Sequence, residues 1–116
     1  MSRSIDLYLR DITDALRNIE QYTADYSFED FERDQKTIDA VIRNFEIMGE
    51  AAREIAKSPE SAAFAVPWRK IIEMRNKISH EYFGIDLEII WETIQSDLPL
   101  VKKELRRRGG SRVVRK

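Results

Sequence analysis

The sequence predicts an all-α fold: an antiparallel four-helix bundle with one short extra helical turn. Four separate stretches repeat apolar residues at steps of three and four, and no run alternates at period two. The breaks between those stretches hold the proline, glycine and capping residues of helix ends, and connections this short favour antiparallel neighbours.

The first stripe is Ile5, Leu9, Ile12, Leu16 and Ile19, which predicts a helix over roughly residues 4–23. The segment "TADYSFEDFERDQ" then interrupts it. Within that break Ser27, with Asp30 three residues on, reads as an N-cap signal, and Phe28 with Phe31 can pin a short turn against the body. The second stripe, Ile38, Val41, Ile42, Phe45, Met48, Ala52 and Ile55, predicts the longest helix, from about Asp34 to Lys57 and about 35 Å long. Gly49 in its middle costs about 1 kcal/mol against alanine. With Ala52 and Ala56 it leaves a strip of small residues where another helix can approach, so packing explains "GEAARE" more simply than chemistry.

Pro59 and Pro67 bracket the next connection, and Pro67 suits the first turn of a helix. That helix carries Trp68, Ile71, Ile72, Met74 and Ile78 and is expected to end near Gly84. Asp86 then caps a last stripe, Leu87, Ile90, Trp91, Ile94, Leu98, Val101 and Leu105, which runs to about Arg107 and which Pro99 should kink or break. Residues 1–107 are expected to form the bundle. Residues 108–116 are expected to form a basic flexible tail, because "RRRGGSRVVRK" shows no helical periodicity.

A chain of 116 residues suffices for one hydrophobic core and not for two. No segment approaches the roughly 18 consecutive apolar residues of a membrane span, and Asp6, Asp11 and Asp14 interrupt the amino terminus, so neither a span nor an export signal is expected. The absence of cysteine excludes disulfides, thiolate metal sites and a cysteine nucleophile, and it fits a reducing compartment; a cytoplasmic location is expected. The sequence shows no glycine-rich phosphate loop and no pair of ligand-spaced histidines, so neither a cofactor nor a nitrogen- or sulfur-ligated metal is expected. Residues 102–116 carry eight Lys or Arg against one acid, Glu104. That net of +7, within a whole-chain charge of −1, leaves the first 101 residues at −8. Such a tail either aids solubility or attracts phosphates non-specifically.

The stretch "RNKISHEYF", residues 75–83, holds the single histidine of the chain, with Arg75 before it and Tyr82 after it. A histidine near a helix C-terminus can simply serve the last carbonyls, an arginine can be a surface charge, and a tyrosine can bury its ring. Against that stand three observations. Positions five apart lie about 140° apart around a helix, so Arg75 and His80 cannot be a simple supporting pair. Arg75 stands among Ile71, Ile72, Met74 and Ile78, beside the core stripe, and His80 has the only side chain here that exchanges a proton near neutrality. Arginine with histidine suits cleavage of RNA by its own 2′-hydroxyl, which needs a base, a cation on the phosphorane oxygens and an acid. One histidine cannot be base and acid in one concerted step. A two-fold homodimer would supply two of each. Trp68 and Trp91 read more simply as packing anchors than as base-stacking platforms, and Glu46 and Glu50 as solvated or arginine-paired rather than as an auxiliary base.

"RNKISHEY" resembles the signature of the HEPN superfamily, and in particular of the HepT-like toxins, whose form is Arg-Asn, three residues, His, one residue, Tyr. "VIRNFEIMGEAAREI", "VPWRKIIEMRNKISHEYFGIDLEIIW" and "DLPLVKKEL" resemble the family's successive blocks in the right order, over most of residues 5–105. The resemblance implies a metal-independent endoribonuclease, an all-α homodimer with RNA in a shared cleft. It assigns Arg75 as phosphate clamp, His80 as catalytic histidine and Asn76 as a residue orienting one of them. It further implies a partner, a minimal nucleotidyltransferase antitoxin, that silences the toxin by transferring AMP to Tyr82, within a complex that can exceed a dimer. An adenylyl group there would block phosphate entry by bulk and charge. An acidic body repels RNA, so attraction would need a local basic cleft from Arg75, Lys77, Arg69 and Lys70. Two other readings stay open: a non-catalytic subunit partnering the transferase, and a purely structural dimeric bundle.

Overall fold

A computed structural model of the chain describes the backbone of residues 4–80 and 86–113, and the side chains of 4–78 and 86–106. The described chain is all-helical: α1 Ile5–Tyr22, α2 Phe28–Glu32, α3 Gln35–Ala56, a 3₁₀ turn Pro59–Ala63, α4 Trp68–His80, α5 Leu87–Glu92, a π-helical turn Thr93–Asp97 and α6 Leu98–Val113. No helix of the described residues is long and apolar enough to cross a membrane.

Each expected stripe becomes a buried face. Ser4 caps α1, which buries Leu9, Ile12, Ala15, Leu16 and Ile19. In α2 the Ser27 hydroxyl accepts from the Asp30 N–H at 3.1 Å while the Asp30 carboxylate accepts from the Ser27 N–H at 3.0 Å, a reciprocal cap. Phe28 and Phe31 hold this turn down through Trp91, with ring centroids 6.4 and 5.3 Å away. Trp68 is likewise a packing anchor: it lies 6.0 Å edge-on to Phe64, and its indole N–H donates to the Ser61 carbonyl at 3.2 Å.

α3 is the central element, packed against both α1 and α4, while α1 also meets α6. Between α1 and α3 the Asn18 amide donates to the Asn44 carbonyl oxygen at 3.1 Å, and Asn44 in turn donates to the Ala40 carbonyl at 2.9 Å. Asn44 is only 5% exposed, so its amide needs this partner, and only one axial alignment of the two helices provides it.

Asp34 caps α3 and does more than the sequence signals. Its carboxylate accepts from the Tyr26 hydroxyl, from the Thr37 N–H at 3.1 Å and from the Thr37 hydroxyl at 2.7 Å. These bonds, that of Tyr26 foremost, hold the Asp34 carboxyl below its ordinary 3.8. A depressed carboxyl contributes stability that is present above its unfolded pKa and is lost as pH falls through the folded one. Asp34→Asn is therefore expected to lower the melting temperature at pH 7, and the deficit should close as the pH is taken well below 3.8. Thermal melts at pH 7 and near pH 2 decide this; an equal deficit at both would mean that the ionised form is not what the cap uses.

The last stripe neither breaks nor ends at Pro99. Proline lacks the N–H that would reach Gln95, and its ring would crowd that carbonyl. The chain answers by widening: Thr93–Asp97 is a π turn in which the Leu98 N–H reaches back five residues to the Thr93 carbonyl. The backbone then stays helical to Val113, past the boundary expected at 107. Apolar periodicity reports only the buried stripe, and a helix can outrun its stripe. α6 is tied down by Lys102, whose ammonium sits 3.0 Å from both Glu20 oxygens, and by the buried Glu104, which accepts from the Ala65 N–H at 3.0 Å.

Candidate active site at the α3–α4 seam

α4 lies along α3, and the two helices come very close at Gly49. A Cβ at that position would overlap Cβ and Cγ of Arg75 and come within 3.2 Å of its Cδ. The first half of the Arg75 side chain therefore lies directly on the α3 backbone, in a notch that only glycine leaves open. This explains the glycine in mid-helix: the strip of small residues is packing, as expected, and what it packs against is the motif arginine.

From that notch the guanidinium emerges 28% exposed. Its Nη2 is 3.2 Å from Glu50 Oε1, and its Nη1 donates to the Asn76 amide oxygen at 3.0 Å. Glu50 is thus arginine-paired, and its partner is the motif arginine itself. Glu46 stays within α3, 3.8 Å from Arg43.

The backbone of α4 is α-helical through His80, so the helix does not distort before that residue. Arg75 and His80 keep their offset of about 140°, whereas positions 76 and 80 lie one turn apart on the same face as exposed Arg69 and Glu73. Asn76 therefore stands between the two, bonded to the arginine and sharing a face with the histidine position. The His80 side chain, Tyr82 and the helix end expected near Gly84 lie outside the described residues.

Arg69, Lys70, Arg75 and Lys77, the cations a basic cleft would need, do not converge within one protomer. Lys70 turns to the opposite flank of α4, 3.5 Å from Asp97, and Lys77 lines a small hollow with Asp86 and Ile89. The physical reason is helical phase: with Arg75 committed to α3, positions 70 and 77 fall towards α5 and α6. Sequence reasoning gave Gly49 a packing role and allowed Glu50 an arginine partner; what it missed is that both meet Arg75, because periodicity does not say which turn of α4 faces which turn of α3.

Among the described residues, then, Arg75 and Asn76 of the Arg-Asn-x3-His stretch lie on α4, with the arginine seated on the neighbouring α3. The comparisons are specific. The chain belongs to the HepT-like ribonuclease family, whose description "Ribonuclease HepT-like" matches residues 12–108. It is 43% identical over 102 residues to "Probable ribonuclease HepT" of Thermococcus cleftensis, covering 88% of this chain and 93% of that one. It is 35% identical over 103 residues to "Putative RNase MJ0127" of Methanocaldococcus jannaschii, covering 89% and 85%. A second relative from that organism, "Gamma-glutamylcyclotransferase and putative RNase MJ0434", is 35% identical over 105 residues; 90% of this chain matches 47% of that protein. No solved structure gives a significant match.

Proposed function

We propose that the chain is a metal-independent endoribonuclease toxin that cleaves RNA as a homodimer and is neutralised by AMPylation of Tyr82. The observation that carries this is the seat of Arg75: a guanidinium fixed by Gly49, Glu50 and Asn76 at the mouth of a helix seam, with Asn76 one helical turn before the His80 position. Membership of a ribonuclease family supports the same conclusion.

In this mechanism His80 takes the proton from a 2′-hydroxyl, whose oxygen attacks the adjacent phosphorus while Arg75 balances charge on the phosphorane oxygens. The bond from phosphorus to the 5′-oxygen breaks, and that oxygen leaves with a proton. The products are a 2′,3′-cyclic phosphate and a 5′-hydroxyl. The departing proton comes from a second histidine, supplied by the other protomer. Helical phase supports the dimer: one protomer puts Arg75 and His80 on different faces and turns Lys70 and Lys77 together away from Arg75, so a second copy is what encloses a phosphate. We read α1, α3, α4 and the joined α5–α6 as the four members of an antiparallel bundle in each protomer. The antitoxin partner is a minimal nucleotidyltransferase, and the adenylyl group it adds puts a negative charge where RNA phosphate must enter.

The test pairs mass with activity. The chain alone should sediment as a dimer and cleave RNA in EDTA. Made with its transferase and ATP, it should gain one or more AMP masses on Tyr82 and stop cleaving, whereas Tyr82→Phe should gain none and keep cleaving. A dimer that leaves RNA intact and gains no mass would instead be a binding subunit.

A further inference from the structure

We infer that Glu50 is a positioning residue for Arg75, and that RNA phosphate binds this site by exchange, taking the guanidinium over from the Glu50 carboxylate. The inference rests on Arg75 being the phosphate clamp.

The acids of α3 differ in how they are paired. Glu46, Glu50 and Glu54 follow one another at single-turn spacing along α3. Glu46 pairs with Arg43 and Glu54 with Lys57, both within the helix, whereas Glu50 alone of the three reaches across the seam to α4. The adjacent Gly49 fixes the stem of Arg75, so what remains free to move is the guanidinium end, and Glu50 with Asn76 sets its plane. A guanidinium carries five N–H donors, so this pairing leaves several for a phosphate. Glu50 is 51% exposed, and a half-exposed ion pair is weak enough to be exchanged for a ligand. Aspartate would be too short for the same reach, and a buried acid would hold the arginine too firmly.

Two consequences follow. Removing the charge while keeping the acceptor should ease entry of a phosphate, and removing the acceptor should leave the guanidinium badly aimed. The first is read with a 2′-O-methyl RNA oligonucleotide, which lacks the attacking hydroxyl, by anisotropy at low salt on the full chain. Glu50→Gln should bind it about two- to fivefold more tightly than the natural protein, the range a half-exposed ion pair allows. That gain should vanish in the Arg75→Ala background. The second is read as single-turnover cleavage at saturating enzyme. Glu50→Ala should be about tenfold slower, and Glu50→Gln should recover most of the rate.

A gain that persists without Arg75 would show Glu50 acting only as bulk negative charge, and no gain at all would remove the exchange; either overturns the inference. So would a Glu50→Gln enzyme as slow as Glu50→Ala. Absence of cleavage by the natural protein would instead sink the ribonuclease mechanism, while the binding comparison would still report on the Arg75–Glu50 exchange.

Discussion

Replacing His80 with alanine is expected to slow RNA cleavage by about two to four orders of magnitude, the usual worth of a positioned general acid or base. The effect is large because the chain has no second histidine to take over. Position 80 follows the exposed positions 69, 73 and 76 on one face of α4, so the substitution should leave the melting temperature nearly unchanged. Arg75→Ala should cost a comparable factor, and Arg75→Lys should not restore it. A lysine is a point charge and cannot serve Glu50, Asn76 and a phosphate with one planar fork. Cleavage rates in EDTA beside thermal melts check both. A folded His80→Ala protein that cleaves at the natural rate would mean that the proton is carried by another group.

The second large effect is expected at Gly49. Alanine in mid-helix normally gains about 1 kcal/mol over glycine. Here its Cβ would overlap Arg75 Cβ and Cγ, atoms too close to the backbone to swing aside, so α3 and α4 must part. Overpacking of this kind costs about 1–3 kcal/mol, and the balance favours a net loss of stability together with a loss of cleavage. The overlap includes the Arg75 Cβ, which alanine retains. Arg75→Ala removes the Cγ and Cδ contacts and keeps the one at Cβ, so Gly49→Ala should still destabilise the Arg75→Ala protein, by less than it destabilises the natural one. Urea denaturation of the four proteins measures it, and a Gly49→Ala protein more stable than the natural one would rule out the close approach.

The helices are legible in the sequence because burial on one face leaves a stripe, and the caps at Ser27 and Asp86 are legible because a short oxygen-bearing side chain before a helix has few other uses. Other features leave no such trace. Gly49 announces a cost and not the residue it makes room for, since a sequence does not say which turn of α4 faces which turn of α3. Glu50 is legible as an acid that an arginine could pair with, but which arginine it meets is set by the seam. Tyr26 bonding Asp34 joins a loop to a cap across the short helix α2, a stretch too brief for periodicity to report. The extent of α6 beyond Arg107 is invisible because helical propagation does not require a buried face.

The π turn before Pro99 lets the second half of the molecule absorb a one-residue change in length. The buried positions Ile90, Ile94 and Leu98 follow at steps of four, a spacing the wider turn accommodates, before Val101 and Leu105 resume the α rhythm. A π turn holds one residue more than the α turn it replaces, so deleting a single residue within Thr93–Asp97 restores an ordinary helix with the downstream faces nearly where they were. Leu98, Val101 and Leu105 would stay in the core, Lys102 would keep Glu20, and Glu104 would still reach Ala65. A one-residue gap in this segment between two relatives thus marks the loss of the wide turn and leaves the docking of the last helix unchanged.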